Sequence, residues 1–352
     1  MKVAVVLPIG ARFSVTQPNS METVVRTLAA ADPTDLRIFC DEGAEDHGDL
    51  PVHPLPAQGR MGVLAKALRA FAPDIIECHQ QSPQAVELSR RFPTTPVTLY
   101  RHNAAKAPRS PIDRWRHNRR YDQLAGLIFV SEASRRQFLI DFPRQAAKAY
   151  AITNPIDAAL WTAAPEDRDP LIAFAGRAMP EKGVDLLCAA LPLVLDRHPD
   201  WRAVLILNDW QAHAAWAAPH LTPLERFGGR VEVLRSAPLA EVQQWMKRAA
   251  IALTPSVWDE PLGLTALEAH AAGAALISSG RGGLREASGP HALYVDDLTP
   301  TALAEAMEAL IQDPARRLAL AKAAQAHVLS DHTPQRRLAE LRALRSRLIG
   351  AS

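Results

Sequence analysis

The chain has 352 residues, and at roughly 150 residues per domain this length is enough for two domains. Its formal net charge of +2 excludes a bulk attraction to nucleic acid, and no run approaches the ~18 to 20 apolar residues that a membrane span needs. The three cysteines lie in or beside apolar runs without Cys-x-x-Cys spacing, as core residues in a reducing compartment do. We therefore expect a cytoplasmic protein.

Short apolar runs alternate with helical stretches in two series along the chain. The first series predicts strands at 3–7, 36–40, 74–78, 97–100 and 126–130. The second predicts strands at 171–175, 203–207, 231–234, 250–254, 275–278 and 292–295. This alternation predicts two parallel-sheet α/β domains with helices on both faces of each sheet. A stretch without a clear period, 157–170, is predicted to link them.

Helix starts can be recognised from capping residues. Near the N-terminus, Asn19 is predicted to cap a helix with Glu22 at its third position, as in a capping box. In the helical tail, a capping residue precedes a proline three times, at Thr299-Pro300, Asp313-Pro314 and Thr333-Pro334.

The segment 255–273 joins a buried-strand pattern to a helix start at Gly263. Glu260 and Glu268 lie on either side of that start, eight residues apart. Free backbone N–H groups at a helix start bind phosphate, and the glutamates can accept hydrogen bonds from hydroxyls. A sugar nucleotide carries both kinds of group.

A second turn, from Gly176 to Gly183, follows the first predicted strand of the second domain. Gly176 allows a close backbone approach, and Arg177 and Lys182 place two cations that suit a diphosphate. The alternative is that both cations are solvated surface charges. The Glu260 segment in the same predicted domain favours the binding function.

A basic segment runs from Arg101 to Arg120, with seven Lys or Arg residues against one acid, Asp113. One interpretation is a helix that contacts anionic lipid or a phosphorylated, lipid-linked acceptor at the inner face of the membrane. The other is a solvated helix face, the commoner outcome for a run of charge. The membrane interpretation rests on four arginines, Arg114, Arg116, Arg119 and Arg120.

Three segments together resemble the retaining glycosyltransferases of family 4: Gly176-Arg-Ala-Met-Pro-Glu-Lys-Gly183, Glu260-Pro-Leu-Gly-Leu-Thr-Ala-Leu-Glu268 and Gly282-Gly-Leu-Arg-Glu286. The resemblance implies a GT-B fold, with two doubly wound, Rossmann-like parallel-sheet domains facing a cleft. We expect an acceptor-side domain at 1–160, a nucleotide-sugar domain at 161–332, and a last helix at 333–352 that packs back on the first domain.

The resemblance also implies an activity and roles for residues. The activity is transfer of a sugar from a nucleotide donor, expected to be a UDP- or GDP-sugar, to a glycan, lipid-linked or small-molecule acceptor. Transfer would retain the anomeric configuration without a metal or a cofactor. Glu260 would contact the donor sugar, Glu268 the ribose, and Arg177 with Lys182 the diphosphate. The remaining donor-binding residues would be Gly176, Gly263, Leu264 and Thr265, and His102 would lie near the reacting sugar.

Some residues depart from the family pattern, and other functions stay open. Asn208-Asp209-Trp210 replaces the usual glycine-rich turn beside the nucleotide base, so the sequence does not decide the base. His79, at the end of a predicted strand, is interpreted as structural. The alternatives to a transferase are a non-catalytic sugar-nucleotide-binding protein and a sugar-nucleotide epimerase on the same fold.

Overall fold

The computed structural model describes residues 1–15, 18–43 and 46–351. The chain forms two compact units, one made of Met1–Pro155 with Pro334–Ser352 and the other of Ile156–Thr333. The stretch predicted as a linker, 157–170, therefore lies inside the second unit. There it forms a short helix whose Trp161 is only 2% exposed.

The first unit is built on a parallel sheet. Its elements up to Pro155 are β1 (Lys2–Val6), α1 (Ser20–Ala31), β2 (Asp35–Asp41), β3 (Val52–Leu55), α2 (Arg60–Phe71), β4 (Ile75–His79), α3 (Ser82–Arg91), β5 (Val97–Arg101), α4 (Pro111–Tyr121), β6 (Gly126–Phe129), α5 (Glu132–Asp141) and β7 (Ala149–Ala151). Within the described residues, the seven strands lie in the order β3-β2-β1-β4-β5-β6-β7. All five strands predicted for this unit are present, and β3 and β7 are added at the two edges.

The second unit repeats this architecture. Its elements are α6 (Ala158–Trp161), β8 (Asp169–Arg177), α7 (Val184–Leu195), β9 (Arg202–Asn208), α8 (Trp210–Leu221), β10 (Val231–Arg235), α9 (Leu239–Arg248), β11 (Ala249–Thr254), α10 (Leu264–Ala271), β12 (Ala275–Ser278), α11 (Leu284–Ser288), β13 (Leu293–Tyr294), α12 (Pro300–Gln312) and α13 (Pro314–Asp331). Among the residues described, its six parallel strands lie in the order β10-β9-β8-β11-β12-β13. The two sheets confirm the predicted fold class.

The strand order of the second unit determines where a ligand can bind. The chain builds outward from β8 through β9 to β10, then crosses back to place β11 on the other side of β8. In open α/β sheets, ligands bind outside the carboxyl ends of the strands at such a switch point. The segment from Gly176 to Gly183 begins with the last two residues of β8, and the Glu260 segment follows β11, so both predicted binding segments lie at this switch point.

The last helix, α14 (Pro334–Gly350), packs in the first unit. Its buried Arg345 makes two hydrogen bonds of 2.9 and 2.7 Å to the Glu77 carboxylate of β4 and one of 2.6 Å to Asp32 after α1. Breaking a buried ion pair by removing one partner costs about 3–5 kcal/mol. These bonds fix the helix against the middle of the sheet.

The helix caps predicted at Asn19, Thr299 and Asp313 form as expected. Asn19 and Glu22 make both hydrogen bonds of a capping box at the start of α1. The side chains of Thr299 and Asp313 accept hydrogen bonds from the first turns of α12 and α13. Proline occupies the first turn of both helices, where its missing N–H costs nothing.

Candidate active site

The turns after β8 and β11 pack directly on each other. Gly183 ends the first turn with a φ of +68°, and a Cβ there would collide with the carbonyl oxygen of Pro255. The N–H of Val257 donates a 3.0 Å hydrogen bond to the carbonyl of Glu181. Close contact between the two backbones therefore requires glycine at position 183.

Lys182 and Glu260 meet where these two turns touch. The Nζ of Lys182 lies 2.5 Å from Oε1 of Glu260, and the hydroxyl of Ser256 donates to the same oxygen at 2.5 Å. Glu260 is 7% exposed, and none of the described residues makes a recorded hydrogen bond to its other oxygen, Oε2. One carboxylate oxygen is therefore held by protein groups, and the second can accept a hydrogen bond from a ligand.

A glycine pair supports the Glu260 segment from the neighbouring chain. Glu260 pairs with Gly282 in an isolated parallel bridge, and the N–H of Gly283 donates to the carbonyl of Glu260 at 2.7 Å. A Cβ on either glycine would collide with the backbone of residues 259–262. This contact explains why the third segment of the family resemblance begins with two glycines.

The start of α10 lies beside this pair in sequence. Gly263 precedes the helix with a φ of +98°, and a Cβ there would collide with Leu284. No side chain of the described residues caps the helix, which begins at Leu264 and Thr265. An uncapped helix start carries N–H donors and partial positive charge, the combination that binds a phosphate.

Glu268 is chemically unlike Glu260. It lies in the second turn of α10, is only partly exposed, and makes no recorded hydrogen bond within the described part of the chain. Desolvation raises its pKa from the ordinary 4.5 to about 8. A carboxyl group that stays desolvated without a partner is destabilised in its charged form, and hydroxyl donors from a ligand would relieve that cost.

The two cations predicted to hold the diphosphate differ in their present contacts. Arg177 ends β8, is exposed, and has no recorded ion pair with any described residue. Lys182 is bound to Glu260, and its Nζ lies 5.6 Å from the centroid of the Trp258 ring. Gly176 precedes Arg177, and a Cβ there would lie 2.9 Å from the Phe174 ring.

Ser256 and Trp258 were not identified as site residues from the sequence. The signal available for Ser256 was its position four residues before Glu260.

In the first unit, His102 lies just beyond β5 and pairs with His79, the last residue of β4. Nδ1 of His79 is 2.8 Å from Nε2 of His102, and both rings stack with Tyr100 at centroid distances of 5.2 and 4.9 Å. Gln80, with a φ of +64°, accepts hydrogen bonds from the N–H groups of His102 at 2.9 Å and Asn103 at 3.2 Å. The sequence signal was that both histidines follow the ends of predicted strands, 74–78 and 97–100; the register that places His79 opposite Tyr100 is seen only in the structure.

Helix α4 carries the four arginines of the basic segment on which the membrane interpretation rests, and it borders a groove. The groove has a volume of about 520 Å³ and is lined by Arg90, Trp115, Arg116, Arg119, Arg120, Asp122 and Gln123. Trp115 is 53% exposed, and the Arg119 guanidinium lies 5.0 Å from its ring. Among the described residues, no helix is both long enough and apolar enough to cross a membrane.

Two family models match separate parts of the chain. Residues 169–313 match the model described as glycosyl transferases group 1, and residues 21–160 match glycosyltransferase family 4. The glycogen synthase of Mycobacterium tuberculosis is 33% identical over 344 residues, covering 90% of this chain and 79% of that protein. The D-inositol 3-phosphate glycosyltransferase of Kineococcus radiotolerans is 31% identical over 223 residues, covering 55% of this chain and 51% of that relative. The aligned part thus spans about half of that second relative.

Solved structures share the fold at lower identity. The Anabaena protein HepE, crystallised with UDP-glucose, has a TM-score of 0.82 and 18% identity, covering 98% of this chain and 99% of its own. The sucrose-phosphate synthase of Thermosynechococcus elongatus has a TM-score of 0.80 and 18% identity, with both chains covered completely at 100%. The fold is therefore GT-B, and the chain belongs to glycosyltransferase family 4.

Proposed function

We propose that this chain transfers a sugar from a nucleotide-sugar donor to a glycan, lipid-linked or small-molecule acceptor and retains the anomeric configuration. The observation that carries the proposal is the Lys182–Glu260 pair, at 2.5 Å, at the carboxyl ends of β8 and β11. The pair provides a cation and a carboxylate oxygen, Oε2 of Glu260, that has no hydrogen-bond partner among the described residues. A few residues further along the chain, helix α10 begins without a side-chain cap.

The hard step in such a reaction is departure of the nucleoside diphosphate. The bond between the anomeric carbon and the phosphate oxygen lengthens, and negative charge develops on the leaving group. Positive groups that are already in place stabilise that charge without reorganising. Arg177, Lys182 and the start of α10 at Gly263 are the proposed groups.

The two glutamates hold different parts of the donor in this proposal. Oε2 of Glu260 accepts a hydrogen bond from a hydroxyl of the transferred sugar, while Lys182 and Ser256 hold Oε1. Glu268 accepts hydrogen bonds from the ribose hydroxyls, which offset the desolvation that raises its pKa. The family resemblance implies that His102 lies near the reacting sugar, and in this proposal it forms a hydrogen bond with that sugar.

Retention follows a same-face route in this proposal. The acceptor oxygen bonds to the anomeric carbon on the face that the phosphate leaves, and the acceptor's proton passes to the departing phosphate oxygen. The route needs neither a covalent carboxylate nucleophile nor a metal or cofactor. Arg177 and Lys182 supply the electrostatic stabilisation that a metal supplies in other enzymes.

Release of nucleoside diphosphate with and without an acceptor tests the function. UDP-glucose is the first donor to try, since HepE was crystallised with it, and GDP-sugars follow. Acceptor-dependent release, with the product anomer identified by NMR, supports the transferase. Binding without turnover indicates the non-catalytic binding protein, and an altered sugar without an acceptor indicates the epimerase.

We also propose that α4 contacts anionic lipid, which would bring the first unit to a membrane-bound acceptor. Its arginines Arg114, Arg116, Arg119 and Arg120 are all exposed and have no recorded ion pair with the described residues. Ile112, 64% exposed, and Trp115 lie on the same helix and supply apolar contact at the interface.

A further inference from the structure

His79 and His102 are joined by a hydrogen bond between two ring nitrogens, so one of these two nitrogens must carry the hydrogen. Nδ1 of His79 and Nε2 of His102 are 2.8 Å apart, a normal hydrogen-bond distance. Burial lowers the pKa of His79 to about 3 and that of His102 well below its ordinary value, so both rings are neutral near pH 7. A neutral imidazole carries a single N–H, so two arrangements of the pair are available.

In the first arrangement, His79 carries its hydrogen on Nδ1 and donates it to His102. His102 then carries its own hydrogen on Nδ1, and Nε2 of His79 is a bare lone pair. In the second arrangement, His102 donates from Nε2. His79 must then carry its hydrogen on Nε2, and Nδ1 of His102 is a bare acceptor.

The surroundings of His79 distinguish the two arrangements. His79 is 3% exposed, and its Nε2 has no hydrogen-bond partner among the described residues. The ring lines a cavity of about 20 Å³ together with Glu77 and Arg345. Because Nε2 has no partner among the residues described, an N–H there would be a buried donor without a protein acceptor. Orphaned buried N–H groups are rarer than under-satisfied acceptors.

We infer that His79 is a positioning residue that donates its Nδ1–H to His102 and fixes His102 as the Nδ1–H tautomer. Gln80 fixes the backbone of the same segment through the N–H groups of His102 and Asn103. The catalytic consequence rests on the proposed function. His102 presents a neutral hydrogen-bond donor to an oxygen of the bound substrate, and it does not act as a general base.

The tautomer can be measured directly by NMR. Two-bond nitrogen–proton correlations of the ¹⁵N-histidine-labelled chain report which ring nitrogen carries hydrogen, and a His102→Gln variant assigns the His102 signals. We expect His102 to be the Nδ1–H tautomer in the parent chain. An Nε2–H tautomer of His102 in the parent chain overturns the inference.

Two variants at position 79 separate donation from packing. His79→Asn keeps an N–H near the position of Nδ1, so His102 should stay in the Nδ1–H tautomer. His79→Leu removes the donor, so the Nε2–H tautomer of His102 should appear. Tyr100→Phe is the matched control, because it keeps the stacked ring and removes only the hydroxyl bond to the Ile152 carbonyl. If the Asn variant shows the same change of tautomer as the Leu variant, donation from His79 is not the cause.

Kinetics then connect the tautomer to the reaction. His79→Leu should lower kcat by roughly tenfold or more, with KM little changed, and His79→Asn should restore most of the loss. The NMR measurement needs no sugar transfer, so an inactive chain with the expected tautomer contradicts the proposed function alone. An active chain whose kcat is the same in the Leu and Asn variants contradicts the role of His79.

Discussion

Glu260 and Glu268 look equivalent from their spacing, and their contacts separate them. Glu260 is bound to Lys182 and Ser256 through one oxygen, whereas Glu268 is desolvated without a recorded partner among the described residues. We predict that Glu268→Ala raises the donor KM and weakens binding of the free nucleoside diphosphate. Glu260→Gln should mainly lower kcat, because the sugar that Glu260 is proposed to contact changes charge during the reaction.

Isothermal titration with the free nucleoside diphosphate gives the cleanest measurement of this difference. That ligand contains the ribose and lacks the sugar, so only Glu268→Ala should weaken its binding strongly. The proposed division of roles is wrong if Glu260→Gln weakens binding of the same ligand equally.

The raised pKa of Glu268 also predicts how stability depends on pH. The folded chain holds this proton more tightly than the unfolded chain, since burial raises the pKa from 4.5 to about 8. The stabilisation is therefore complete below about pH 4.5 and is lost as the pH rises through about 8. Glu268→Gln cannot ionise, so its advantage in Tm over the parent chain should grow between about pH 5 and about pH 9.

Thermal unfolding measured at both pH values tests this prediction. Each pKa unit corresponds to about 1.4 kcal/mol, and each kcal/mol to a Tm change of about 2–4 °C in a domain of this size. Glu232→Gln, at an exposed position of β10, is the control and should follow the parent chain at both pH values. A Tm difference for Glu268→Gln that stays constant with pH would contradict the raised pKa.

At the scale of elements, the sequence predicts every strand of the second sheet and the central strands of the first, and it misses the two edge strands of the first sheet, β3 and β7. The predicted strand at 275–278 matches β12, whose four residues are buried and apolar or small and lie between Gly273 and Gly280. The missed strand β3 contains Pro54, and β7 has only three residues. An edge strand needs less burial than a central one and tolerates proline, so β3 and β7 form without the apolar run that predicts a strand.

The candidate site was predicted only in part, for a related reason. Helix starts and glycines are local signals, so Gly263 and Gly183 could be identified in the sequence. The bond between Lys182 and Glu260 joins residues 78 positions apart. It depends on β8 lying beside β11, a pairing of strands that periodicity does not specify.

Helix α4 gives a prediction at this scale. Replacing Arg114, Arg116, Arg119 and Arg120 by Gln should weaken binding to anionic vesicles by about 1 kcal/mol for each charge near the surface. Co-sedimentation with vesicles rich in phosphatidylserine measures the loss, and donor affinity should not change. The exposed Trp115 should show a blue-shifted fluorescence on binding.

A control variant that loses the same number of positive charges distinguishes vesicle binding through α4 from a general effect of net charge. It replaces four arginines of the second unit that are exposed, Arg202, Arg226, Arg248 and Arg316, by Gln. This control should keep most of the vesicle binding. Equal losses in both variants, or no binding by the parent chain, would return α4 to the solvated-face interpretation.

For the molecule as a whole, fold and activity rest on different observations. HepE and this chain align with a TM-score of 0.82 at 18% identity, so they share the fold while most side chains differ. One fold supports many activities, and function depends on the site. In this chain the proposed site contains Arg177, at the end of β8, and Lys182, paired with Glu260, which we propose hold the donor diphosphate.

The last prediction follows from these two cations. Because Arg177 and Lys182 provide positive charge at the proposed diphosphate position, sugar transfer should proceed at the same initial rate in excess EDTA. Arg177→Gln should lower kcat/KM by about tenfold or more, since one charged group aimed at the leaving phosphate is lost. Arg202→Gln is the matched control, because this exposed arginine begins β9 at the opposite end of the strands. Loss of activity in EDTA that magnesium or manganese restores would show that a metal supplies the charge assigned here to the arginine and the lysine.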